Sequence, residues 1–331
     1  MKKLINDPSD YVDEMLDGMV AAYPERLRRL DGTKVLVRAD GPVEGKVAVV
    51  SGGGSGHEPT HAGYVGDGML DGAASGEVFT SPTANELDEM VRAADAGEGV
   101  LCVVKNYEGD VMNFDTAAEM ADMEDVDVAQ VVVNDDVAVE DSLYTSGRRG
   151  VAGTIFVHKV AGAKAAAGGD LDEVQAVAER AIENVRTMGM ALTSCITPEK
   201  GEETFDLGED EIELGIGIHG EPGTERTESM SADEVAEHLT THVLDDLDPD
   251  EGDEVVVMVN GMGGTPLSEL FIVNRRVQEV VADRGLDVWD TWVGDYMTSL
   301  DMEGCSVTVM RLDDELKELL AADVDTPALK R

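Results

Sequence analysis

The chain has 331 residues, enough for two ordinary domains whose cores need neither disulfide nor metal staples. Twenty-five Lys and Arg stand against 70 Asp and Glu, a formal charge of −45, which excludes a binder of nucleic acid or of an anionic membrane surface. Hydrophobic residues make up 42% and recur in apolar runs, which excludes an acidic disordered chain.

The acids are spread over nearly the whole length, and lysine is scarce. That pattern resembles proteins of halophilic cells, where a screening length of about 3 Å at ~1 M salt removes most repulsion between surface carboxylates. Cys102, Cys195 and Cys305 are far apart and form no CxxC pair, which fits a reducing cytoplasm. No secretory apolar region follows Lys2 and Lys3, and no apolar run is long enough to span a membrane.

In chain order, Val35–Val37, Lys46–Val50, Val100–Val104 and Val126–Val133 read as short Val-rich strands, buried on both faces as in a parallel sheet. Thr83–Ala96 and Asp115–Met123 read as the amphipathic helices between them. After the Ala/Gly-rich segment Val151–Gly169, Asp170–Gly189 reads as one helix, with Asp170 and Glu173 as a capping box and Gly189 as its stop. A polar stretch with Pro198 and Gly201 follows, and a boundary there divides the chain into domains of 1–190 and 191–331. Ile212–Ile218, Glu254–Val259, Leu286–Trp292 and Ser306–Leu312 are the later strands, and Thr265 caps a helix over Pro266–Arg284 that Gly285 ends. The alternation predicts an α/β protein of two closely packed domains, each a largely parallel or mixed sheet flanked by helices.

Four segments carry candidate chemistry. SGGGSGHEPT (51–60) follows a strand directly, where open α/β sheets place their ligands, but it matches neither GxxxxGK[ST] nor a clean GxGxxG, and a tight structural turn fits it as well. Within it His57 and His61 match HExxH, yet Pro59 and the flanking glycines oppose the continuous helix that a zinc site needs. KNYEGDVMNFD (105–115) puts Lys105, Asn106 and Asp110 at the end of another strand, where the rarity of lysine gives Lys105 weight over a solvated loop residue. In ELGIGIHGEPG (213–223), His219 closes an apolar strand among glycines that leave space for a ligand; its imidazole is either a nucleophile or a packed turn residue. NGMGGT (260–265) precedes a helix and is either an anion site or a plain βα turn. His158 reads as a core or interface histidine, His238 and His242 as surface residues, and Arg148–Arg149 as a salt-bridging pair with docking as the alternative.

Together these segments resemble the dihydroxyacetone kinase family, and within it the substrate-binding K subunit. The matching stretches are SGGGSGHEPTHAGYVGDGMLDGAASGEVFTSPT (51–83), KNYEGDVMNFD, DDVAVEDSLYTSGRRGVAGTIFVHKVAGA (135–163), LGIGIHGEPG (214–223), NGMGGTPLSEL and GDYMTSLDMEG, so the resemblance covers essentially the whole chain. It departs from the commonest family pattern at Glu108, Asp295 and Cys305. The resemblance implies a two-domain α/β subunit that forms homodimers and holds dihydroxyacetone as a hemiaminal on His219. It implies that Gly54, Ser55, Gly56 and His57, with Lys105 and Asp110, hold the substrate hydroxyls. His57 and Asp110 would handle the proton of the hydroxyl that receives phosphate. It further implies no cofactor and no metal on this chain: ADP or ATP with Mg²⁺ would sit on a helical L-type partner subunit, rephosphorylated by an M-type phosphotransferase protein fed from phosphoenolpyruvate, or exchanged for free ATP. Two alternatives stay open: a non-catalytic dihydroxyacetone-binding regulator, and a kinase subunit for another short ketose.

Overall fold

In a computed structural model, residues 2–140 and 146–331 are described; positions 141–145 of the matching stretch 135–163 lie outside them. Twelve strands and eight α-helices are assigned among the described residues. The first half runs α1 (Tyr11–Ala22), β1 (Leu27–Arg29), β2 (Val35–Arg38), β3 (Ala48–Ser55), β4 (Gly72–Val78), α2 (Ala84–Ala94), β5 (Val100–Lys105), α3 (Glu108–Asp122), β6 (Val128–Val133), α4 (Thr154–Ala166) and α5 (Leu171–Glu183). The second runs β7 (Val185–Ala191), β8 (Glu211–Leu214), β9 (Glu225–Glu228), α6 (Ala232–Leu247), β10 (Glu254–Gly261), α7 (Leu267–Asp283), β11 (Asp287–Gly294), β12 (Gly304–Arg311) and α8 (Asp314–Ala321).

The first sheet has the order β1-β2-β4-β3-β5-β6. Its core, β4-β3-β5-β6, is parallel, and β1 and β2 join antiparallel. Alternation along β3 and β5 explains its two covered faces. Val50, Cys102 and Val104 meet Leu87, Met90 and Phe114 of α2 and α3, while Val49, Leu101 and Val103 meet Ile155 and Phe156 of α4 and Val174 and Val177 of α5. Each such side chain contributes roughly 1.5–3 kcal/mol when fully buried. The second sheet, β11-β10-β12-β7-β8-β9, is mixed, with only β10 and β11 parallel. Val255, Val257 and Val259 of β10 pack under α6 and α7. Val256 and Met258 turn to the other face and join the core shared with α4 and α5, so one apolar interior runs between the sheets. The two mixed, helix-flanked sheets agree with the sequence expectation.

Several elements depart from it. The helix expected to reach Gly189 stops at Glu183, with its Asp170–Glu173 capping box in place; Val185, Thr187 and their neighbours leave it as β7, because β12 offers a full antiparallel edge. The strand expected to run to Ile218 ends at Leu214, opposite Glu225, where its antiparallel partner β9 begins. Thr265 does not cap α7. Its hydroxyl donates to the Gly304 carbonyl (2.8 Å) and accepts from the Gly304 N–H (2.7 Å), and Pro266 occupies the N-cap position. Among the described residues no helix is long and apolar enough to cross a membrane.

Candidate active site

β3 and β5 end side by side at the carboxyl edge of the parallel sheet, and the turn 215–223 of the second half folds over that edge. Between them opens a polar cleft of about 790 Å³. Gly54, Phe79, Tyr107, Asp110, Asn113 and His219 are among its lining residues. A more apolar but smaller hollow, of about 200 Å³, lies elsewhere beside α7, and of the four candidate segments only Thr265 reaches it.

His219 stands partly exposed at the cleft, its side chain 17% accessible. Three rings enclose it: His57 and Tyr107 at 4.7 Å between centroids and Phe79 at 5.3 Å, all edge-on. Its orientation is set by Glu221. The His219 Nδ1–H donates to Glu221 Oε1 (2.8 Å), and the His219 backbone N–H donates to Oε2 (2.9 Å). With Nδ1 carrying the hydrogen, Nε2 keeps the lone pair. Burial alone would raise the Glu221 carboxyl; the charge and hydrogen bond of His219, and Arg149 beyond, outweigh it and hold its pKa at about 2. Arg149 is itself fully buried, donating to Asp136 (2.6 Å) and to the Gly215 carbonyl (2.7 Å). Gly217 makes this fit possible, since a Cβ there would lie 2.0 Å from Glu221 Oε2 and 2.7 Å from Arg149 Nη1. The sequence alone does not single out Glu221; its spacing of two from His219 is the signal available there.

His57 is wholly buried. Its Nδ1–H donates to the Thr298 carbonyl (2.7 Å), so Nε2 is the acceptor, and that atom has no hydrogen-bond partner among the described residues. Burial first, then the neighbouring His219 and Lys105, hold its pKa well below 6.5. A neutral imidazole with a free, buried lone pair is a competent proton acceptor.

Lys105 is the last residue of β5 and has no exposed surface. Its Nζ lies 3.9 Å from Asp110 Oδ2 and 5.2 Å from the Tyr107 ring centre. Burial lowers its pKa against the pull of Asp110 and Glu221. Asp110 is not a loop residue: it sits in the first turn of α3, which begins at Glu108 within the segment expected to be irregular. Its Oδ1 is buried and unpartnered. Asn106 turns away, donating to the carbonyls of Ser146 and Arg148.

Gly54 lines the cleft where the chain passes 79–80; a Cβ there would meet Thr80 N at 2.6 Å. Ser55 donates to the Gly76 carbonyl (2.7 Å), and the Gly56 N–H donates to Glu58 (3.1 Å), so neither points its polar group into the cleft. The segment holding His57 and His61 is turn and 3₁₀ backbone rather than α-helix. His61 meets Ser51 instead of His57's partners. No group of three His, Cys, Asp or Glu side chains able to hold a metal ion occurs among the described residues. NGMGGT forms the end of β10 and the approach to α7, where Asn260 Nδ2 donates to the Met297 carbonyl (2.8 Å) and to Ser306 Oγ (3.1 Å). Arg148 pairs with Asp246, His158 is buried, and His238 and His242 stack on the outer side of α6. All three cysteines are free and buried.

Two parallel-sheet strand ends facing a clamped histidine across a polar cleft define a small-molecule site of the α/β class. The family is fixed by comparison: residues 17–328 match the Dak1 domain, and the chain belongs to the Dak1 family. It is 51% identical, over 99% of its own length and all of the relative's, to the dihydroxyacetone-binding subunit of a PTS-dependent dihydroxyacetone kinase of Listeria innocua. Among solved structures, the dihydroxyacetone kinase of C. freundii superposes with a TM-score of 0.90 at 35% identity, covering 98% of this chain and 60% of that one. A dihydroxyacetone kinase operon co-activator superposes at 0.89 with 36% identity, covering 98% of both.

Proposed function

We propose that this chain is the dihydroxyacetone-binding subunit of a dihydroxyacetone kinase, a phosphotransferase that works with partner subunits. The observation that carries the reading is His219, clamped through Nδ1 by Glu221 with its Nε2 lone pair left for an electrophile. In this reading Nε2 attacks the C2 carbonyl of the triose. A C–N bond forms, the C=O π pair passes to oxygen, and that oxygen takes up a proton. The ring's Nδ1 proton passes to Glu221 Oε1, to which it is already hydrogen-bonded, and the ring of the hemiaminal is left neutral. A polyol has no carbonyl and cannot be captured this way, so the bond selects ketones. It also fixes the terminal hydroxyl for transfer. Lys105 and Asp110 hold the hydroxyls beside Gly54, whose lack of a side chain keeps that wall of the cleft open, and His57 Nε2 accepts the proton of the hydroxyl that is phosphorylated.

The phosphoryl group comes from elsewhere. The cleft mouth carries Glu108, Glu199, Glu202 and Glu203 against Lys200, and like charge repels a free polyphosphate. ADP or ATP with Mg²⁺ is therefore held by an L-type partner docked over the mouth. The full-length similarity to a PTS-dependent subunit supports recharging from phosphoenolpyruvate through an M-type protein. A homodimer in the cytoplasm, divided near residue 190 into two domains, completes the reading. A regulator that only binds the triose needs His219 but no proton acceptor; the free His57 Nε2 and the Asp110 beside Lys105 favour the kinase. Purified alone with ATP, the chain is expected to be inactive, and adding an L-type subunit charged with ADP and a phosphoenolpyruvate relay restores turnover; turnover by the chain alone overturns the split arrangement.

A further inference from the structure

A row of hydrogen bonds behind the cleft determines which nitrogen of His61 bears a proton. The Ser51 hydroxyl lies 2.6 Å from the Val103 carbonyl, which can only accept, so Ser51 donates to it. Ser51 Oγ has then spent its hydrogen and must accept at its 3.1 Å contact with His61 Nδ1. Nδ1 therefore carries the hydrogen, and His61 Nε2 is a bare lone pair. That atom is buried and has no partner among the described residues, and the same is true of Lys105 Nζ. The two converge on one spot: a methyl borne by Gly53 would lie 3.2 Å from His61 Nε2 and 3.0 Å from Lys105 Nζ. Gly53, having no side chain, leaves that spot open. The remaining groups around them are His57, Asp110, Tyr107 and Glu221 on the Lys105 side, and His158 behind, its ring 5.2 Å from His61. Of these only the ammonium is a charged donor facing His61 Nε2.

We propose that His61 is a positioning residue for substrate binding, its tautomer locked by Ser51 so that Nε2 accepts a hydrogen bond from Lys105, directly or through one water. An ammonium has three N–H bonds. One is directed at His61, a second faces Asp110, whose Oδ2 is an ion-pair partner at 3.9 Å, and the third is left aimed at the substrate. Without His61 the buried ammonium is oriented by Asp110 and the Tyr107 ring alone, and the aim at the substrate is lost. The inference rests on the reading of Lys105 as a substrate-binding residue.

The test measures dihydroxyacetone affinity of the full chain for His61→Leu, His61→Gln, His61→Asn and Lys105→Met, and for His61→Leu combined with Lys105→Met. His61→Leu is expected to weaken binding roughly tenfold or more, the size of a hydrogen bond to a charged group. His61→Gln, whose amide reaches the Nε2 position, recovers most of it; His61→Asn, which reaches only Nδ1, does not. In the Lys105→Met background His61→Leu costs nothing further, because a residue that acts through another is silent once that other is gone. Equal losses in both backgrounds overturn the positioning role. A Lys105→Met variant with unchanged affinity instead overturns the reading of Lys105, which separates the two failures. Nitrogen-15 spectra of the unaltered protein guard against misfolded variants: a neutral His61 protonated on Nδ1 is expected, and protonation on Nε2 contradicts the proposal.

Discussion

Glu221 grips His219 twice, taking its ring Nδ1–H on one carboxylate oxygen (2.8 Å) and its backbone N–H on the other (2.9 Å). The pair is two residues apart in sequence; the buried carboxylate stays charged through His219 first, and Arg149, held by Asp136 from another part of the chain, adds to the effect. The clamp decides which nitrogen is nucleophilic and offers the proton acceptor that capture requires.

Replacing Glu221 by Gln keeps an acceptor near Nδ1 and removes the charge. Adduct formation with dihydroxyacetone is expected to fall roughly ten- to a hundredfold, the range of a charge-assisted hydrogen bond. The same change alters acid stability. The Glu221 pKa is lowered in the folded state to about 2, so its contribution is fully present above the ordinary value near 4.5 and is lost as pH falls toward 2. Glu221→Gln should lose that part of the acid dependence in denaturant titrations; an unaltered slope between pH 4.5 and about 2 speaks against a charged, paired Glu221.

His57→Ala should leave capture on His219 intact and lower phosphorylation by about 10²–10⁴, the usual worth of a general base. Burial, His219 and Lys105 keep His57 neutral well below pH 6.5. Turnover by the complete complex is accordingly expected to hold as pH drops through 6.5 and to fail only further down. A limb centred at 6.5 that vanishes in the variant would show His57 to be an ordinary, solvated imidazole.

Lys159 gives a test of the fold remote from the cleft. It has no exposed surface, donates from Nζ to the Leu319 carbonyl (2.8 Å), and burial lowers its pKa from 10.5 to about 8. Between those values the unfolded chain binds the extra proton, so stability rises as pH increases from about 8 to 10.5. Lys159→Met abolishes that rise, on the order of 3 kcal/mol at most; a rise identical to the parent's contradicts a buried, deprotonating Lys159.

The parts of the fold legible in the sequence were those whose pattern is local. The Val-rich strands β5 and β10 and the capped start of α5 stand where their residues indicate, whereas β3 runs on from Val50 through Ser51–Ser55, the glycine-rich stretch that reads as a turn. β4, with the sequence GAASGEV, gives little strand signal because Val78 is its one β-branched residue; its identity comes from lying between β2 and β3, where small residues let the strands approach α2. In sequence β7 reads as the end of a helix because Val185 and Met188 also fit a helical stripe, and the edge of β12 decides between the two. At the site, His219, His57, Lys105 and Asp110 were visible as polar residues at strand ends. Arg149 was legible as a salt-bridging residue but not as a support of Glu221, and Glu221 and the Ser51–His61 contact were not legible, since these roles depend on burial and on contacts distant in sequence. The acid-rich surface says nothing of the site.

The account turns on the bond between His219 and the substrate. A high-resolution crystal structure of the chain soaked with dihydroxyacetone measures it directly. The expected result is continuous density from His219 Nε2 to a tetrahedral C2 bearing a hydroxyl, with Nδ1 still on Glu221. A planar ketone lying at van der Waals distance from the ring would contradict it.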